Sequence, residues 1–242
     1  MSALTVSLLG GGRSRSRLRK WPKRFAEIAD RLVAAYGTPT LGNHDDPVRE
    51  IFYIVLSAKT TDAQYRRTHA ALMARFPTLA DLSGASVEEI AECIAGGGLA
   101  NKKAAQLGQM AAKLLDLGDD PASSLRAMPA ASVYSFLTGL PGVGPKSALC
   151  IMMCSLSFDV FPVDVNVSRI ASRLGAVASG LKHYDYQKLL PPMIPVGRSK
   201  ELHVGMVVHG RSVCLPKKPR CSSCQLVDLC SLGRHWVRQE QG

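Results

Sequence analysis

The chain has 242 residues, a net charge of +11, and 46% hydrophobic against 20% charged residues. That balance supplies a sizeable core and excludes extended disorder as the main state, while no apolar run reaches the ~18 residues needed to cross a bilayer. Met1–Leu9 lacks a charged start and runs into arginines where a cleavage site would stand, so no export leader is read; the expectation is a soluble, cytoplasmic protein in a reducing compartment.

Residues 1–24 hold seven basic side chains (Arg13, Arg15, Arg17, Arg19, Lys20, Lys23, Arg24) and no acid, and without them the net charge is +4. They are expected to form a flexible basic arm that would add affinity for a polyanion without reading its sequence. Phe25, Ile28, Leu32, Val33 and Tyr36 then recur at helical spacing up to Gly37. Pro47 opens a helix over 48–58 whose Ile51–Leu56 run is apolar all round; Asp62 is expected to cap the next, which Pro77 closes. Ser86 and Glu89 read as a capping box before Ile90, Gly96–Gly98 interrupts, and a helix follows over 104–117. Cys93, Cys150 and Cys154 read as core packing residues. No strand is legible, and the expected fold class is all-α, with about ten short helices.

Helices over 132–138 and 147–158 flank Gly139-Leu-Pro-Gly-Val-Gly-Pro-Lys146, a helix-hairpin-helix pattern. Gly142 and Gly144 permit positive φ and close approach of a phosphate to backbone N–H groups at the positive end of the second helix. Leu140 and Val143 would pin the hairpin to the core and are expected, with Gly142 and Gly144, among the DNA-binding residues. The same residues would also serve an ordinary tight connection. Lys146, beside that positive end and partly shielded, is a candidate nucleophile. Supplying neutral amine from a pKa near ~10.4 costs roughly 4–5 kcal/mol at pH 7, which such an environment partly removes. Asp164 directly precedes a helical run over 165–174; a capping carboxylate there is fixed in direction and suited to supporting a cationic transition state.

Cys214, Cys221, Cys224 and Cys230 fall in the spacing Cys-x6-Cys-x2-Cys-x5-Cys. Four thiolates in one loop suit either tetrahedral zinc or an iron–sulfur cluster, and the spacing matches neither ferredoxin pattern.

Leu140-Pro-Gly-Val-Gly-Pro-Lys146, Val163-Asp-Val-Asn166 and Val208-His-Gly-Arg-Ser-Val-Cys214 with the remaining cysteines resemble the endonuclease III branch of the helix-hairpin-helix DNA glycosylases, from about Ala26 to Cys230. The resemblance implies two helical lobes around a DNA-binding cleft. A [4Fe–4S] lobe would be built from 25–44 and 161–235 and an inserted bundle from 45–160, with 236–242 as a tail. It further implies a monomeric enzyme acting on double-stranded DNA that carries a damaged base or abasic site. Oxidised pyrimidines would be removed, and the strand cleaved by β-elimination through Lys146 with Asp164 assisting. Lys59 stands where the family places a gap-filling glutamine, and Leu99 where it places a wedge, with Lys102 or Lys103 near phosphate. Asn166, in the substrate pocket, replaces the usual histidine. Lys217, Lys218 and Arg220 would form a rigid basic loop that binds phosphate, and Gly142 and Gly144 would also contact the DNA backbone. Non-catalytic damage binding, a monofunctional glycosylase with another lesion preference and an iron–sulfur redox sensor are the competing readings.

Overall fold

The computed structural model describes residues 14–240, with side chains over 20–239, and the described residues contain helices and no strand. None of these helices is long and apolar enough to cross a membrane. The chain divides into two compact units, Gly42–Phe158 and a second made of the flanking segments, Met1–Leu41 with Asp159–Gly242. Sequence reasoning set the divisions at 44/45 and 160/161.

In the flanking unit, α1 (Ser14–Tyr36) packs against α12 (Ser199–Ser212). Phe25, Ile28, Ala29 and Leu32 are buried along one stripe of α1, and Gly205 of α12 lets the helices close to where an added Cβ would stand 3.1 Å from Leu32 Cβ. Each such fully buried large side chain contributes roughly 1.5–3 kcal/mol. The helical start at Ser14 corrects the expectation of a flexible arm through residue 24. Trp21 extends the stripe one turn toward the N-terminus and stacks on Phe25, with centroids 5.2 Å apart. Arg24 lies over the Trp21 ring and donates to Leu229 O. Residues 1–13 of the expected arm lie outside the described residues. The expected tail is corrected likewise, since α13 (Ser231–Glu240) occupies most of it; 241–242 lie outside the description. Between these, α10 (Val165–Leu174) and α11 (His183–Leu189) complete the core through Val167, Ile170, Ala171, Leu174, Tyr186 and Leu189.

The inserted unit begins with α2 (Pro47–Ser57), which has Pro47 in its first turn and Asp46 accepting from Val48 N and Arg49 N. Ile51, Phe52, Val55 and Leu56 are buried, and so is Glu50, whose carboxylate accepts from Asn43 Nδ2 and His44 N. Thr61, not Asp62, caps α3 (Asp62–Arg75). Gln64 Oε1 accepts from Thr61, which leaves Asp62 to pair with Tyr65 OH and Arg66 Nε. The helices α4 (Leu79–Gly84), α5 (Val87–Cys93), α6 (Ala100–Leu115), α7 (Pro121–Ala127), α8 (Ala130–Thr138) and α9 (Pro145–Ser155) follow. The capping box of Ser86 with Glu89 is formed. Cys150 and Cys154 are buried, but Cys93 is only half-buried because it ends α5 beside the glycine loop.

Candidate functional site

Within the inserted unit, α8, the turn at 139–144 and α9 form the hairpin. Leu140 and Val143 are 3% and 5% exposed, so their side chains are anchors and cannot themselves face a ligand. Their N–H groups bond inside the motif, to Leu137 O and Leu140 O. This corrects their expected place among DNA-contacting residues. Gly142 requires its φ of +86°, whereas Gly144 does not take the positive φ expected of it. It lies at −88° as the extended cap of α9, with nothing within 4 Å of an added Cβ. Its lack of a side chain therefore leaves open space in front of the α9 N-terminus. Lys146 is the second residue of that helix and is half-buried. Two residues that sequence reasoning missed brace the turn from α6: Lys113 Nζ donates to Gly139 O at 2.9 Å, and Gln106 fills the space beside Gly142.

Two further loops of this unit present exposed side chains from left-handed backbone. Lys59, after α2, has φ +53°, and Leu99, at the cap of α6, has φ +56° and is 53% exposed. Lys102 is exposed, but Lys103 is 3% exposed and donates to Leu56 O and Gly97 O, so it cannot hold phosphate. Helical phase explains the difference, since Lys103 shares its stripe with buried Leu107, Met110, Ala111 and Leu114.

In the flanking unit, Asp164 caps α10. Its Oδ1 accepts from Asn166 N and Val167 N, both at 2.8 Å, and its Oδ2 from Asn166 Nδ2 at 2.9 Å. The other end of the Asn166 amide accepts from Arg169 Nη2 at 2.8 Å, and Arg169 also donates to Gly210 O and Cys214 O. Gly210 on α12 is required here, because a Cβ would stand 2.7 Å from Asn166. Asn166 thus bridges Asp164 to an arginine bound to the cysteine loop. This network was not read from the sequence, although an arginine three residues after Asn166 on one helix face was its available signal.

All four cysteines line one hollow of about 310 Å³, counting its opening to solvent. Donors converge on the sulfurs: Arg173 Nη1 on Cys214 at 3.2 Å, Leu226 N on Cys224 at 3.4 Å and Gly233 N on Cys230 at 3.3 Å. His209 Nε2 lies 3.4 Å from Cys224 Sγ, with Tyr36 OH 2.8 Å from its Nδ1. Burial, then nearby Arg169, pushes the imidazole pKa down to about 4. The ring is neutral at pH 7, and both contacts are satisfied with Tyr36 O–H donating to Nδ1 and Nε2–H directed at sulfur. Burial, reinforced by the neighbouring cysteines, pushes the Cys224 thiol up to about 11. Thiolates here would need a compensating cation. Among the described residues no three His, Cys, Asp or Glu side chains are arranged to hold a metal ion. The loop between the first two cysteines is tied down by Arg173 on Leu215 O and Pro216 O and by Arg220 N on Val213 O, and it exposes Lys217, Lys218 and Arg220.

Residues 52–190, more than half the chain, match the family model described as HhH-GPD superfamily base excision DNA repair protein. The chain belongs to this superfamily. It is 29% identical to endonuclease III of Escherichia coli K12 over 205 residues, 84% of this chain and 93% of that one. It is 26% identical to endonuclease III of Bacillus subtilis over 192 residues, 79% and 84% of the two chains. A solved non-covalent endonuclease III–DNA complex superposes with a TM-score of 0.77 at 26% identity, covering 90% of this chain and 98% of that one. A trapped covalent endonuclease III–DNA intermediate superposes with the same score and identity. This HhH-GPD protein is therefore an endonuclease III-like DNA glycosylase of base excision repair. The matched region contains the hairpin, both exposed loops and Asp164; the cysteine loop follows it.

Proposed function

We propose that this HhH-GPD protein is a bifunctional enzyme that excises oxidised pyrimidines from double-stranded DNA and cleaves the resulting abasic site by β-elimination. The observation that carries the proposal is a half-buried lysine, Lys146, on the first turn of α9, two residues after the open Gly144 position. The target nucleotide must be extruded, because C1′ is inaccessible in the stack. The neutral Lys146 Nζ forms a bond to C1′ as the glycosidic bond breaks, and the electron pair leaves with the base, which takes up a proton. Opening of the sugar ring gives an iminium ion. Loss of a C2′ proton then expels the 3′ phosphate, and water releases the amine. Asp164, whose oxygens accept three hydrogen bonds and point in a fixed direction, supports the cationic sugar and the handling of the proton.

Around this chemistry, Lys59 and Leu99 occupy the space left by the extruded nucleotide, with Leu99 as the apolar wedge. Lys102, Lys217, Lys218, Arg220 and the backbone of Gly142 and Gly144 hold phosphates, and the protein acts as a monomer. Cys214, Cys221, Cys224 and Cys230 hold a [4Fe–4S] cluster. Support for that assignment comes from the shared hollow and from donors aimed at sulfur. When bound, the group supplies positive charge that keeps the thiolates ionised and a cross-link that fixes the basic loop.

Borohydride reduction on an abasic duplex should capture a covalent complex with the wild type, and Lys146→Gln should abolish it while retaining duplex binding. Base release without strand scission across a panel of lesion duplexes would instead establish a monofunctional glycosylase. That second reading draws on Asn166, whose amide is engaged by Asp164 and Arg169.

A further inference from the structure

Lys103 places an ammonium where water does not reach. Its Nζ donates to Leu56 O at 2.8 Å and to Gly97 O at 3.0 Å. Leu56 lies in the last turn of α2, just before the loop that carries Lys59, and Gly97 lies in the loop that carries Leu99. Backbone N–H of Lys103 also bonds Leu99 O at 2.9 Å. The two loops meet directly as well, since a Cβ added to Gly98 would stand 3.3 Å from Lys59 O. Both exposed residues hold left-handed backbone, which non-glycine residues keep only when their surroundings impose it. An ammonium has three donors and can bond both carbonyls at once, including one at the negative end of α2. A surface role would not explain its burial, which disfavours the charged form.

We propose that Lys103 is a positioning residue that locks the Lys59 and Leu99 loops in one relative geometry, so that both side chains enter a duplex as a unit. The proposal deepens the glycosylase reading of those loops and rests on it. It predicts that Lys103 matters only where the base stack must be opened, and that its removal acts through Leu99 rather than through the chemistry.

The test uses the full chain and a duplex with a non-cleavable tetrahydrofuran abasic analogue opposite 2-aminopurine, which brightens on unstacking. Wild type should raise the fluorescence. Lys103→Met should weaken that response about tenfold, and Leu99→Ala combined with it should lose no more than the worse single variant. On single-stranded abasic DNA, where nothing needs unstacking, Lys103→Met should trap with borohydride within about twofold of wild type. If Lys103→Met does not fold, Gly98→Ala, exposed and at the same junction, should give the same fluorescence loss. A full response in Lys103→Met, additive losses with Leu99→Ala, or equal losses on duplex and single strand would overturn the proposal. Because the fluorescence requires no bond cleavage, it decides the coupling of the loops even if wild type fails to trap, an outcome that would reject only the lyase reading.

Discussion

Asn166 carries more of the site than its position in a helix suggests. One amide donates a hydrogen bond to Asp164 Oδ2 and accepts one from Arg169, which in turn donates to Cys214 O. Removing it takes one hydrogen bond from the carboxylate and one side-chain acceptor from the guanidinium, a change worth about 1.5–3 kcal/mol for a bond to a charged group. Asn166→Ala should therefore lower the single-turnover rate of base release by at least about tenfold, with duplex affinity little changed. Equal losses in rate and affinity would show that Asn166 acts as a DNA contact. The sequence shows Asp164 as a cap and Asn166 as a departure from the family pattern, but not the bridge between them. That bridge depends on Gly210, 44 positions along the chain, admitting the amide against α12. Lys103 was legible in principle, because the positions 103, 107, 110, 111 and 114 trace one buried stripe. The adjacent pair Lys102-Lys103 hides this when it is read as local charge rather than by helical phase.

At the scale of elements, the two hairpin glycines separate a folding requirement from a binding one. Gly142 has φ +86°, and a methyl there would press on Gln106 at 2.8 Å. Gly142→Ala should lose about 1–2 kcal/mol of stability, seen as a lower melting temperature. Gly144 has φ −88° and open space around its missing Cβ, so Gly144→Ala should melt like wild type yet bind duplex DNA more weakly. Unchanged affinity in Gly144→Ala would remove the hairpin from the phosphate contacts. Helix α10 begins and ends where its Asp164 cap and Gly175 stop place it, because both signals are local. The start of α1 was missed for the opposite reason. Seven basic residues dominate the composition of 1–24, while the decisive contact, Trp21 on Phe25, depends on the core of the flanking unit.

For the whole molecule, stability should depend on pH through a histidine group buried within the inserted unit. His69 is 5% exposed, donates to Arg49 O, and stacks near His44 and Tyr53. Burial, then His44, lowers its pKa to about 4 from an ordinary 6.5. Below pH 6.5 the unfolded chain takes up a proton that the folded chain refuses, so stability falls as pH drops from about 6.5 to about 4 and rises as pH returns. The full difference is on the order of 3 kcal/mol. In His69→Gln the melting temperature should fall less across that window than in wild type, and parallel curves would refute the assignment. The net charge of +11 acts on a longer range, favouring the approach of a polyanion, and each unit contributes exposed cations, Lys102 in the inserted one and Lys217, Lys218 and Arg220 in the flanking one.

The proposed lyase chemistry depends on one amine reaching one sugar carbon. The most direct measurement is peptide mapping by mass spectrometry of the borohydride-reduced complex formed on an abasic duplex. The nucleotide adduct is expected on the peptide containing Lys146, on its Nζ. An adduct carried by Lys59, Lys102 or the chain's N-terminus, with position 146 unmodified, would contradict the account.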